Sequence, residues 1–240
     1  MRWWKAERAS GGERRMTLSK RLQMAADLVR DGAVVADIGT DHAYLPVYLL
    51  RSGKCPSVVA SDLRDGPLMN AAAATALYGV SDSVRLVISD GLDALQPEDA
   101  DDFVFAGMGG TLIVELLERT PWIHDVQKHF VFQPMVHGEL VRAFLLREGF
   151  RIERENACFD ACRPYIAFSA VYDPAYRPPH RKSYIWIGEL PRVQNEAARY
   201  FMKKQYIYLQ QRADALERAA LLPEEVRTIR EILPDMEMYI

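Results

Sequence analysis

The chain has 240 residues, 49% of them hydrophobic and 26% charged, and a formal net charge of −3. That length and balance suit a folded globular protein and exclude a chain disordered over most of its length. No apolar run reaches the roughly 18 to 20 residues of a membrane span and the N-terminus lacks a secretory apolar stretch, so a cytoplasmic location is the expectation.

Residues 1–15 combine Gly11, Gly12 and mixed charge without periodicity, which predicts a disordered extension; Met16 would serve equally as a start. A helix is expected over 18–30. From residue 33, short β-rich runs alternate with longer amphipathic stretches, the signature of a parallel α/β sheet. Strands are expected over 33–38, 57–62, 84–89, 102–106 and 130–133. Those over 151–157 and 165–171 should pair antiparallel, because no helix fits between them. One helix is well marked, with Pro67 at its first position, an alanine-rich body over 71–76 and Gly79 at its stop.

Pro174, Pro178 and Pro179 place a boundary near 173–179. Beyond it Val193, Ala197, Phe201, Leu209 and Leu216 recur at helical spacing. Pro223 then restarts a helix with Val226, Ile229, Leu233 and Met236 on one face. The expected organisation is an extension over 1–15, an α/β domain over 16–173 and an antiparallel, coiled-coil-like helical pair over 174–240. Within 177–204, Arg177, Arg181, Lys182, Arg192, Arg199, Lys203 and Lys204 face only Glu189 and Glu196. A phosphate backbone could use that surface, with Arg199, Lys203 and Lys204 as candidate contacts, although charge alone suits a solvated helix face equally. Cys55, Cys158 and Cys162 supply neither a disulfide framework nor four zinc ligands, so they read as reduced thiols and no metal is expected.

The first strand of the alternating region ends at Asp37-Ile38-Gly39 and runs through Thr40-Asp41-His42 into a helix, the layout of a nucleotide-cofactor turn. Gly39 admits close approach of a ligand, and Asp37 can orient the loop or meet a cation. The G-x-G-x-x-G that seats a pyrophosphate is absent, and carboxylates at Asp37 and Asp41 would repel phosphate. A phosphate-free ligand with a positive centre fits better, which points to S-adenosylmethionine. Asp62 ends the next strand, placed for ribose hydroxyls. Asp90-Gly91-Leu92 ends the third, placed to bond and frame an adenine ring. Three successive acidic strand ends would meet at the carboxyl edge of a parallel sheet, so a Rossmann-like, class I methyltransferase sheet is the expected α/β fold. The fourth strand runs into Ala106-Gly107-Met108-Gly109-Gly110. Gly107 would face the cofactor, and Met108, Gly109 and Gly110 would leave room for a planar base; tight helix packing explains these glycines equally. Gln133, at the end of the fifth strand, offers an amide to a base edge or caps the core.

The set DIGTDHAYLP (37–46), GP (66–67), SDGL (89–92), AGMGG (106–110) and QP (133–134), preceded by Leu18-Ser19-Lys20-Arg21-Leu22, resembles the bacterial tRNA adenine-N1 methyltransferases that modify position 22. The resemblance implies tRNA as partner, Asp37 and Gly39 in the cofactor loop, Asp62 at the ribose, Asp90 and Leu92 at the adenine, and Asp41 beside the acceptor base. The chain departs from the family in Asp62, where Glu is usual, and in Met135, where Asn usually follows Gln-Pro. It departs again in Tyr165-Ile166-Ala167, where Tyr-Glu-Ile is usual. Adenine nitrogen 1 has its own lone pair, so the implied reaction needs alignment more than deprotonation. Asp41 would stabilise the charge that grows on the ring, and the base must first be exposed. His42, Tyr44 and Tyr165 would stack or position it, and each is equally an ordinary packing residue. Two competitors remain: an N-methyltransferase with a different substrate, which would want an apolar lid in place of the basic tail, and a cofactor- or RNA-binding module without turnover. The oligomeric state stays open, a monomer included.

Overall fold

The computed structural model describes residues 4–8 and 14–240, with side chains from Met16 onward. Trp4–Arg8 (β1) and Arg14–Leu18 (β2) pair antiparallel, with Trp4 opposite Leu18 and Arg8 opposite Arg14. This differs from the disordered extension expected over 1–15. The second strand turns Met16 into a small cluster with Val47 and Tyr78, which gives the ribbon a buried anchor that periodicity does not reveal. The rest of that expectation, on 1–3 and 9–13, lies outside the described residues.

Helix α1 (Lys20–Leu28) leads into five parallel strands: β3 (Val35–Ile38), β4 (Val58–Asp62), β5 (Val84–Ile88), β6 (Asp102–Ala106) and β7 (His129–Gln133). The antiparallel β8 (Phe150–Asp160) and β9 (Arg163–Tyr172) complete the order β5-β4-β3-β6-β7-β9-β8. Crossovers are made by α2 (Tyr44–Arg51), α3 (Asp65–Leu77), α4 (Gly110–Glu118) and α5 (Gly138–Arg147). Helix α3 begins two residues before Pro67, not at it. Amides throughout a first turn lack intrahelical acceptors, so proline is tolerated there beyond the first position.

Strand alternation builds two faces. Phe103, Phe105, Phe130 and Phe132 join one core cluster, while Val104 and Val131 between them join another. The valine side packs on α1 and α2, and the phenylalanine side on α4 and α5.

Beyond Tyr172 come the short α6 (Tyr184–Ile187) and two long helices, α7 (Glu196–Arg218) and α8 (Pro223–Glu237). Arg230 reaches Asp214 at 2.6 Å and Glu217 at 2.8 Å, and the Tyr206 hydroxyl reaches Glu237 at 2.6 Å, which sets the pair antiparallel. Ala197, Ala198, Met202 and Leu209 of α7 share the cluster of Phe132 and Phe168. Below them, Arg142 and Glu155 form a fully buried ion pair. Arg142 also donates to the Ile185 carbonyl at 3.2 Å, and the Glu189 amide donates to Glu155 at 2.7 Å. One core therefore runs across the expected boundary near 173. No helix among the described residues is long and apolar enough to cross a membrane, and the three cysteines are free thiols.

Candidate active site

Strand β3 pairs with β4 on one side and β6 on the other, so the winding of the sheet reverses between β3 and β6 and a crevice opens at their carboxyl ends. Gly39 and Gly107 stand at its mouth with φ of 75° and 87°. The Gly39 and Thr40 amides donate to the Ser61 carbonyl at 2.9 and 2.8 Å, tying the loop to the next strand end. A Cβ at Gly39 would meet only the movable end of the Met108 side chain, so it is the left-handed backbone that calls for glycine there. Ala43 holds a left-handed φ of 51° at the start of α2, a strain of order 1–2 kcal/mol kept where the cleft turns. The cleft encloses about 240 Å³ between Asp37, Gly39, Asp41, His42, Tyr44 and Gly107, with Arg21 reaching in from α1.

Asp37 is buried at the base. Burial pushes its carboxyl up to about 6; the Thr40 hydroxyl pulls partly back, and the charge of Asp62 adds to the rise. Asp62 accepts from the Arg64 amide at 2.9 Å. Asp90 is held by Arg119, which bonds both its carboxylate and its carbonyl at 2.8 Å. Gly91, at φ 59°, packs directly on Leu116. At the rim, Asp41 is 63% exposed with its carboxylate 3.5 Å from His42 Nε2, and the His42 ring stacks on Tyr44 at 5.1 Å and 18°.

Several sequence-predicted residues take other parts. The Leu92 side chain is 1% exposed within the core, so only its backbone can frame a ligand; Leu63, 61% exposed beside Asp62, is the apolar surface available instead. Gln133 is fully buried: its Oε1 accepts from Arg21 at 2.7 Å and its amide donates to the Pro134 carbonyl at 3.2 Å, so it offers nothing to a base edge. Gly110 is required by packing, because a side chain there would strike the His137 carbonyl. Gly109 caps α4, and Met108 lies over Gly39. Arg199, Lys203 and Lys204 are exposed on α7, outside the cleft.

Arg21 is the residue that sequence reasoning missed. It is 2% exposed; burial lowers its pKa, and attraction to Asp160 opposes that. A basic residue on the otherwise apolar inward face of α1 was the available signal. Among the described residues no group of His, Cys, Asp and Glu is placed to hold a metal.

A glycine-lined crevice at the reversal point, beside three acidic strand ends, defines a cofactor-dependent transferase sheet. Residues 18–168 match the methyltransferase domain family, and the chain belongs to it. More particularly, it is similar to the tRNA (adenine(22)-N(1))-methyltransferase of Bacillus subtilis, at 28% identity over 93% of this chain and 95% of that protein. The crystal structure of the B. subtilis M1A22 tRNA methyltransferase TrmK matches with a TM-score of 0.79 and 27% identity, covering 93% of this chain and 99% of that one. A Streptococcus pneumoniae protein solved in complex with S-adenosyl-L-methionine matches with a TM-score of 0.76 and 27% identity, covering 90% of this chain and 100% of that one.

Proposed function

We propose that the protein is an S-adenosylmethionine-dependent tRNA methyltransferase acting on nitrogen 1 of adenine 22, in the cytoplasm where tRNA is found. The observation that carries this is the crevice between β3 and β6, with Asp37 in its wall and Asp62 and Asp90 at the next two strand ends along the same edge, in a chain similar over nearly its whole length to an enzyme of that specificity. The residues fit the cofactor's chemistry, with carboxylates where a dinucleotide fold would carry a phosphate cradle. Asp37 would hold the ammonium and Arg21 the carboxylate of its amino-acid end, Asp62 the ribose hydroxyls, and Asp90 the adenine amine above Leu63. When bound, that cofactor supplies an electrophilic methyl group on a sulfonium.

The chain's own residues supply alignment. Adenine nitrogen 1 is an unprotonated lone-pair donor at neutral pH, so the site needs no base and works by placing the ring in line. The stacked His42 and Tyr44 offer the extruded base a flat surface at the rim. Asp41 beside them stabilises the positive charge the ring gains.

Asp37 makes binding pH-dependent. Its folded-state value of about 6 lies above the ordinary 3.8, so ionisation between these values costs the unliganded fold stability, while the cationic ligand requires the ionised form. Affinity for S-adenosylhomocysteine should therefore rise by up to about tenfold per pH unit below pH 6 and level off above it. Calorimetry from about pH 5 to about 7.5 checks this. Asp37→Asn should bind weakly and without that dependence; a wild-type affinity flat across the window contradicts the assignment.

Substituting Arg199, Lys203 and Lys204 together by alanine should weaken tRNA binding and lower the slope of log affinity against log salt by about two to three, since each lost phosphate contact removes about 0.7 to 0.9. Filter binding over a salt series reads the slope; an unchanged slope would return these residues to a solvated face.

A further inference from the structure

A second cavity, of about 310 Å³, opens at the same carboxyl edge. Gln133 stands between the two: it bonds Arg21 in the wall of the cleft, while Pro134 and Met135, next in the chain, line the second cavity. Its walls are aromatic. Trp186, Phe201 and Tyr208 come from the C-terminal segment and Tyr165 from β9. The Trp186 and Tyr208 rings lie 6.2 Å apart at 42°, and Tyr208 is 48% exposed. Aromatic faces open to solvent suit a flat ligand with its own π-system.

Charge singles out the same place. Lys204 stands in the wall, with Arg199 and Lys203 just before it on α7. Among the described residues none of these three has a carboxylate within ion-pair distance, whereas Arg212, Arg227 and Arg230, farther along the helical pair, are each tied to glutamates. The carboxylate in the wall, Glu139, is engaged by His137 at 3.0 Å. Lys204 thus presents an unneutralised cation in the cavity wall, as a phosphate beside a docked base would require.

Two of the three departures of the sequence from its family's pattern fall here as well. Met135 and Ile166, standing where that pattern has Asn and Glu, both line this cavity. Its surface is apolar where hydrogen bonds to a base edge would need polar groups, which favours stacking over edge reading.

We infer that this cavity holds a nucleobase next to the acceptor in the RNA, unstacked when the acceptor enters the cleft, with Lys204 at its phosphate. The inference rests on the tRNA reading above. Extruding one base breaks its stacking on both neighbours, and a neighbour that gains a protein platform recovers part of that cost and holds the acceptor out.

The test uses synthetic tRNAs with an abasic residue immediately before or after adenine 22, the intact tRNA, and the wild-type, Tyr208→Ala and Tyr208→Trp proteins. With wild type, one of the two abasic tRNAs should bind about tenfold more weakly than the intact one. Tyr208→Ala should lose about the same on intact tRNA and nothing further on that abasic tRNA, and Tyr208→Trp should bind as wild type. S-adenosylhomocysteine affinity and melting temperature should be unmoved in both variants. Equal wild-type affinity for all three tRNAs overturns the inference without any variant, and so decides even where Tyr208→Ala misfolds. Losses that add between Tyr208→Ala and the abasic tRNA overturn it too. Wild-type protein that methylates intact tRNA yet shows either result sinks this inference alone; wild-type protein that neither binds nor methylates tRNA sinks the proposed function with it.

Discussion

Asp41→Asn should leave S-adenosylhomocysteine affinity unchanged and slow single-turnover methyl transfer to saturating tRNA by about 100-fold. The substitution keeps the size of the side chain, deletes its charge and leaves one of its two oxygens as an acceptor. In the free protein that charge is 63% exposed and 3.5 Å from His42, so water screens it. Its electrostatic effect becomes large only when bound RNA covers the rim and excludes water, so the loss should appear in the transfer rate. Transfer at the wild-type rate would remove Asp41 from the chemistry, and a loss confined to the tRNA concentration dependence would make it a binding residue.

Truncation after Asp173 should fail to give a folded methyltransferase sheet, although the chain pattern suggests two domains. Ala198, Met202 and Leu209 of α7, with Ile229 and Met236 of α8, lie in the same cluster as Phe132 and Phe168. Each large apolar side chain uncovered costs about 1.5 to 3 kcal/mol, so a handful matches the whole stability of about 5 to 15 kcal/mol. The cut also strips the buried Arg142 and Glu155 pair of its bonds to the backbone of Ile185 and Glu189, leaving charges under-satisfied in the interior. Solubility and thermal melts of the fragment check this. A soluble fragment melting within about 5 °C of the full chain would show that the helices are dispensable to the fold.

The strand ends were legible because an aspartate closing a short apolar run is a local signal, and Asp37, Asp62 and Asp90 all fall at the carboxyl edge of the observed sheet. The antiparallel close of the sheet was legible for a similar reason, since no helix fits between its last two runs. What escaped depends on partners distant in sequence. Gln133 turns inward because Arg21, 112 residues earlier, takes its carbonyl oxygen, and no local pattern carries that pairing. Ala43 adopts a left-handed conformation without the glycine that would announce it. The prolines near 173 mark a change from strands to helices in the chain, but whether two stretches share a core is decided by faces that only meet in three dimensions.

The central claim is tested most directly by incubating the purified protein with methyl-labelled S-adenosylmethionine and unmodified bacterial tRNA, digesting the tRNA and identifying the labelled nucleoside by mass. The account predicts label in N1-methyladenosine and, after sequence-specific fragmentation, at position 22 alone. Label in any other nucleoside, or none in tRNA while the protein binds S-adenosylhomocysteine, would contradict it.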